Sequence, residues 1–256
     1  MTTEKTVEYE VKNRVAYITL NRPEKKNAIN GQMRYELTQA LIDVKENPEV
    51  WVAILRANGD AFSSGHDLID HDAPQPKGAM TTMDMYVYLQ RIWKPTIVAV
   101  NGICLAQGAG LALSCDIRIA SREKALFGWP QSKRGIGSIS APCILSTIIP
   151  SNIAFELMYT GDLLNAEQAL RLDLINKAVP HEKLWEEADL FARRILQNAP
   201  IPMRHMKEVA IRGQQMTLED RIHLALMHFI QITLSEDAKE GMAAFKEKRD
   251  PVWKGR

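Results

Sequence analysis

The pattern of apolar and polar positions alternates first and then cycles. "VEYEVKNRVAYITLNRP" predicts two short strands around the polar turn Lys12 to Arg14, stopped by Pro23, with Val15, Tyr17 and Thr19 on one face and Ala16, Ile18 and Leu20 on the other. Met33, Leu37, Leu41 and Val44 then recur at helical spacing behind Asn30, a suitable cap, and "WVAILRA" is a continuous apolar strand. "DAFSSGHDLIDHDAPQPKGAM" is a loop punctuated by Gly and Pro, "MDMYVYLQRIWKP" predicts a helix closed by Pro95, and "TIVAVNG" a second wholly apolar strand. "CDIRIAS" and "KALFG" read as further strands, and the pattern is mostly helical from "PSNIAFELMYTG" onward. The last helices are expected at about 184–197, 201–212, 218–234 and 236–248, with no strand among them.

Strands alternating with helices imply crossover connections and a largely parallel sheet, so the expected class is α/β. Residues 1–195 are expected to form the core unit, and 196–256 a helical region that packs on that core or on another subunit. Its apolar Leu224, Leu226, Met227, Phe229 and Ile230 form a stripe that needs a cover.

Composition narrows the function classes. Lys plus Arg number 32 against 31 for Asp plus Glu, a balance that offers nucleic acid nothing to hold. Cys104, Cys115 and Cys143 stand far apart among apolar neighbours, which predicts buried, reduced thiols. The charged start "MTTEKTVEYEVKN" is unlike a signal peptide, and no run nears the roughly 20 apolar residues of a membrane span, so a soluble cytoplasmic protein with no membrane partner is expected. His181, His205, His223 and His228 show no metal-ligand spacing, and no metal is expected.

Two glycine turns follow apolar strands: "FSSGHDL" after Trp51 to Arg56, and "LAQGAGLAL" after Thr96 to Val100. Such turns expose backbone N–H groups that can bind a developing negative charge with no side chain, although either one alone reads equally as a simple turn. "NRPEKKNAI" taken alone is a Pro-led turn with a solvated basic tip.

Taken together and in order, "NRPEKKNAI", "FSSGHDL", "KPTIVAVNG", "GAGLALSCDIRIAS", "FGWP", "TGDLLNAEQALRLDLINKAVP" and "EGMAAFKEKRDPVWKGR" resemble the crotonase superfamily, the enoyl-CoA hydratase/isomerase family, over essentially the whole chain. The resemblance implies a spiral of ββα units with a helical C-terminal region that builds trimers or hexamers, and an acyl-CoA thioester as substrate, coenzyme A being part of that substrate and no separate cofactor being needed. It places the thioester oxygen between the backbone N–H groups of His66 and Gln107, an oxyanion hole for an enolate. Coenzyme A would be held by Lys25, Lys26 and Ala28, by Ser64 to Leu68 including His66 and Asp67, and by Phe245 and Lys248, the last two serving a neighbouring subunit.

The chain departs from the family at the acid/base positions. Typical hydratases carry glutamates where Gly110 and Gln131 stand here; glycine has no proton to give, and an amide orients water without titrating. Isomerases that use an acid shortly after "GIG" meet Ser138, Ile139 and Ser140 instead. His66 lies where alanine is common and is the leading replacement, since imidazole titrates near neutral pH, although it reads equally as a pocket wall. Histidine at this slot occurs in the family's methylmalonyl-CoA decarboxylase. Decarboxylation or β-keto acyl-CoA hydrolysis demands less of paired acids than hydration does, and a non-catalytic acyl-CoA-binding protein is the rival from another class. Asp67 is expected to fix the loop, Asp70, His71 and Asp72 to cover the pocket or be solvated, and Lys133 or Arg134 to hold a carboxylate or lie on the surface. Met85, Tyr86, Tyr88 and Trp129 are expected in the core or the pocket wall.

Overall fold

The structure, a computed structural model, describes residues 5–69 and 76–256. The chain opens with β1 (Val7–Lys12) and β2 (Val15–Leu20), then α1 (Gly31–Glu46), β3 (Val52–Ala57) and β4 (Ala61–Ser63). Next come α2 (Thr82–Gln90), β5 (Thr96–Val100), β6 (Ile103–Leu105), α3 (Gln107–Leu113), β7 (Ile117–Ser121) and β8 (Leu126–Gly128). Then follow α4 (Ser146–Ile148), α5 (Ser151–Thr160), β9 (Leu163–Asn165), α6 (Ala166–Arg171) and β10 (Lys177–Val179). The last helices are α7 (Leu184–Leu196), α8 (Pro200–Arg212), α9 (Leu218–Thr233) and α10 (Glu236–Glu247).

One sheet has the order β1-β2-β3-β5-β7-β10 and is parallel apart from the β1–β2 hairpin; the other has the order β4-β6-β8-β9, with only β9 antiparallel. Each of β3, β5 and β7 is therefore followed at once by a short strand of the second sheet. This step repeats as a ββα winding, and the pairing of β4 with β6 sets the turns after them, at residues 64–68 and 106–110, side by side.

Both faces of the larger sheet are covered, which is why its strands read as unbroken apolar runs. Ala16, Ile18 and Leu20 pack with Met33, Leu37, Leu41 and Val44 of α1. On the other face Val15, Ile54, Ile97 and Ile119 meet Leu184, Ala188 and Ala192 of α7. The Asn30 side chain caps α1, accepting from the Met33 N–H at 3.0 Å.

From "PSNIAFELMYTG" onward the chain is mostly helical, as expected, with β9 and β10 as two short strands that the sequence missed together with β4 and β6; strands of three residues are too short for alternation to mark. Cys104 and Cys115 are buried as expected, but Cys143 is exposed. The apolar stripe of α9 does not fold onto its own core: no residue of α9 is buried, and Leu226, Met227, Phe229 and Ile230 are exposed. Among the described residues no helix is long and apolar enough to cross a membrane.

Candidate active site

The two glycine turns touch. A Cβ on Gly65, whose φ is +97°, would lie 3.0 Å from the Leu105 carbonyl and 3.2 Å from the Gln107 nitrogen. On Gly108 it would lie 2.5 Å from Ser63 Cβ and 2.9 Å from the Ser63 carbonyl. Any side chain at either position would force the turns apart, so these two glycines are dictated by close approach of backbone to backbone.

Within the first turn, the Ile29 N–H donates to the Gly65 carbonyl at 2.8 Å and the Asp67 N–H to the Ile29 carbonyl at 3.1 Å. Because successive N–H groups of extended chain point to opposite edges, that of His66 faces away from Ile29. In the second turn Ala106 has φ +52° and ψ −112°, a conformation that costs a residue with a Cβ about 1–3 kcal/mol. It turns the chain into α3, whose first residue, Gln107, has an N–H that no helical carbonyl can accept. Arg22 braces the first turn, its Nη1 lying 3.0 Å from Asp67 Oδ2 and 2.6 Å from the Ala28 carbonyl, and Asp67 Oδ1 accepts from the Ile69 N–H. Asp67 thus has the loop-fixing place expected of it.

Side chains close the site from above. The Tyr86 ring of α2 lies over Gly110, where a Cβ would come within 2.7 Å of Cε1, and its hydroxyl donates to the Gln107 carbonyl at 3.3 Å. Burial pushes that phenol well above its ordinary value, so it stays protonated. Ser140, buried beside it, accepts from Trp129 Nε1 at 3.1 Å and donates to the Ala106 carbonyl at 3.3 Å. Arg34 of α1 puts Nη2 3.1 Å from His66 Nδ1. A guanidinium only donates, so Nδ1 accepts, and the hydrogen of a neutral ring then sits on Nε2. Gln107 is 5% exposed, and neither Oε1 nor Nε2 of its amide has a partner. Gln131 is half-buried, Nε2 donating to Ser138 Oγ at 3.3 Å while Oε1 is buried without a partner.

Most of the expected coenzyme A residues adjoin this site. Lys25 and Lys26 are exposed on a turn bound to the first loop through the Ser64 N–H, which donates to the Lys26 carbonyl at 2.9 Å, and Leu68 is exposed at its far end. Phe245, 83% exposed, and Lys248 are not brought to it: they lie on and just past α10, which packs on α9. Asp70, His71 and Asp72 lie outside the described residues. Lys133 and Arg134 are on the surface, Lys133 3.5 Å from Asp162. Met85, Tyr86 and Trp129 are buried, and Tyr88 is half-buried against them.

Sequence reading missed the placement of Tyr86 at Gly110 and all of Arg34; a buried arginine on the apolar face of a predicted helix, one position after Met33, was the available signal. It also missed a meeting of His205, Glu208 and His228, whose ligand-type atoms lie within 4.8 Å of one another. The two imidazoles have centroids 4.3 Å apart.

The chain resembles known proteins over nearly its whole length. The family model for enoyl-CoA hydratase/isomerase matches residues 10–256. The (E)-benzylidenesuccinyl-CoA hydratase of Thauera aromatica is 34% identical over 97% of this chain and 99% of its own, and the carnitinyl-CoA dehydratase of Citrobacter koseri 35% identical over 93% and 94%. The crystal structure of enoyl-CoA hydratase from Mycobacterium tuberculosis H37Rv superposes with a TM-score of 0.91 at 32% identity, covering 99% of this chain and 100% of that one. An enoyl-CoA hydratase/isomerase from Mycobacterium paratuberculosis gives 0.89 at 31%, covering 98% and 99%. The two sheets wound by ββα steps, with helices at the C-terminus, are thus a crotonase fold, and the chain belongs to the enoyl-CoA hydratase/isomerase family of the crotonase superfamily.

Proposed function

We propose that this chain is an acyl-CoA enzyme in which the thioester oxygen is received by the backbone N–H groups of His66 and Gln107 and an enolate is stabilised there. The observation that carries the reading is the apposition of the two turns, with Gly65 and Gly108 so close to Leu105, Gln107 and Ser63 that no side chain fits between. Fixed donors of this kind act on charge that develops during reaction, and each is worth about 2.7–4 kcal/mol in well-studied cases. The unpartnered amide of Gln107 supports the reading, since a bound polar group would satisfy it.

The nucleotide of coenzyme A lies against Lys25 and Lys26 in this reading, with Ala28, Ser64, Asp67 and Leu68 shaping the passage. Phe245 and Lys248 complete it only from a neighbouring subunit of a trimer or hexamer, since on their own chain they stand apart from it. No cofactor beyond the substrate's own coenzyme A is required. Relatives that hydrate or dehydrate CoA esters favour a lyase reaction. Gly110 and Gln131 cannot supply the paired acid and base, which favours chemistry leading directly to the enolate, such as decarboxylation or cleavage of a β-keto ester, with His66 the titratable group at the hole.

The same two residues favour a second reading, a protein that binds acyl-CoA without turning it over. Steady-state assays on a panel of CoA esters, beside calorimetric binding of each, separate the two. Turnover of any ester supports the first reading; tight binding with no turnover supports the second, and no binding contradicts both.

A further inference from the structure

Among the described residues, Arg34 is a buried cation with no counter-ion. The residue is 9% exposed; Nη2 meets His66 Nδ1 at 3.1 Å, and Nε is buried with no partner. Among the described residues no carboxylate pairs with it. Two half-buried arginines are provided for: Arg22 holds Asp67, and Arg118 donates from Nε to the Leu174 carbonyl at 2.5 Å and from Nη1 to the Cys115 carbonyl at 2.7 Å. Arg204 and Arg221 also bury guanidinium nitrogens without partners, but on the C-terminal helices, and Arg34 is the one set at His66.

Placing the His66 ring explains only part of Arg34. One neutral donor would satisfy Nδ1, whereas a guanidinium brings five N–H vectors and a charge that is costly to desolvate unpaired. Its position is also specific. It sits beside the side chain of His66, whose backbone forms one wall of the proposed hole, and within electrostatic reach of Tyr86, whose ring covers Gly110. In the acyl-CoA reading this is the acyl side of the site, and the exposed Lys25 and Lys26 take the phosphates.

We infer that the Arg34 guanidinium receives a carboxylate carried by the acyl group, so that the ligands of this site are CoA esters of short dicarboxylic acids. The inference rests on the acyl-CoA reading above and adds the substrate class to it. A carboxylate matches the planar fork of arginine with two parallel hydrogen bonds, and in a desolvated setting such charge-assisted bonds are the strong ones. The carboxylate must be close to the thioester, because Arg34 is held at His66.

The test is calorimetric binding of matched pairs to the intact protein: malonyl- against propionyl-CoA, succinyl- against butyryl-CoA, glutaryl- against pentanoyl-CoA, with free coenzyme A alongside. At least one dicarboxylic ester is expected to bind about 10- to 100-fold tighter than its neutral partner. Arg34→Gln should bring that ratio close to one, and Arg34→Lys, which keeps the charge without the fork, should retain part of it. A residue that only positioned His66 would weaken both esters together and leave the ratio intact, which overturns the inference. Equal affinities within every pair for the unaltered protein overturn it as well, while leaving the acyl-CoA reading standing. If neither free coenzyme A nor any ester binds, it is the acyl-CoA reading itself that has failed.

Discussion

Tyr86 occupies the space that a side chain at Gly110 would need: a Cβ there would come within 2.7 Å of ring atom Cε1 and nearer still to Cζ and the hydroxyl oxygen. A phenol from α2 thus fills the space beside position 110 of α3, and the two residues are a matched pair. Gly110→Ala should destabilise the fold by about 1–3 kcal/mol, the usual cost of overpacking. In a Tyr86→Ala background the same change should cost much less, because the ring it strikes is gone. Urea denaturation of the four proteins of this cycle measures the coupling; strictly additive effects would contradict the pairing.

Hydration of crotonyl-CoA should be slow, at least about 100-fold below that of an enzyme with both carboxylates, since a positioned acid or base contributes roughly 10²–10⁴. Gln131→Glu alone should not restore it, for the Gly110 side remains filled by Tyr86. An absorbance assay following loss of the enoyl thioester decides this, and turnover equal to that of an efficient hydratase would refute it.

His205 predicts a pH dependence of stability. Burial first, and then the adjacent His228 with Arg204, holds its imidazole below the ordinary value, against an opposing pull from Glu208. Below about pH 6.5 the unfolded chain takes up a proton that the folded state refuses, so stability should fall as the pH drops from there toward the folded-state value. The midpoint of urea unfolding across this range should fall less steeply in His205→Gln. An unchanged slope in that variant would count against the assignment.

The exposed Leu226, Met227, Phe229 and Ile230 of α9 should be covered by other copies of the chain. Light scattering at micromolar concentration is expected to give three or six times the 28.9 kDa of one chain. A particle of one chain mass would reject both the assembly and any service of Phe245 and Lys248 to a neighbouring site.

The long elements were legible because their patterns are long. Met33 to Val44 marks α1 by its period, Asn30 marks its start, and the unbroken apolar runs of β3 and β5 follow from helices or strands covering both faces. Of the second sheet only β8 was legible; Ala61–Ser63, Ile103–Leu105 and Leu163–Asn165 are each too short to alternate. At the site the two stretches were legible as glycine turns that expose N–H groups, while the close backbone contact that dictates Gly65 and Gly108 was visible only in the folded chain. What met Gly110 was hidden, since Tyr86 lies 24 positions earlier on another helix and reads there as one more core aromatic. Arg34 was hidden for the same kind of reason: its meaning comes from the partners it lacks, which only the folded chain defines.

The most direct test of the account is the infrared spectrum of the bound thioester. Butyryl-CoA labelled with 13C at the thioester carbon, recorded by difference spectroscopy on the protein, isolates the one carbonyl proposed to lie between the His66 and Gln107 N–H groups. Two backbone donors polarise that bond, so its stretch should move to lower frequency than in free butyryl-CoA. Gly108→Ala, which drives a Cβ into Ser63, should part the turns and return the band toward its free position. A bound ester whose carbonyl absorbs at the same frequency as in solution would contradict the oxyanion hole, and with it the proposed chemistry.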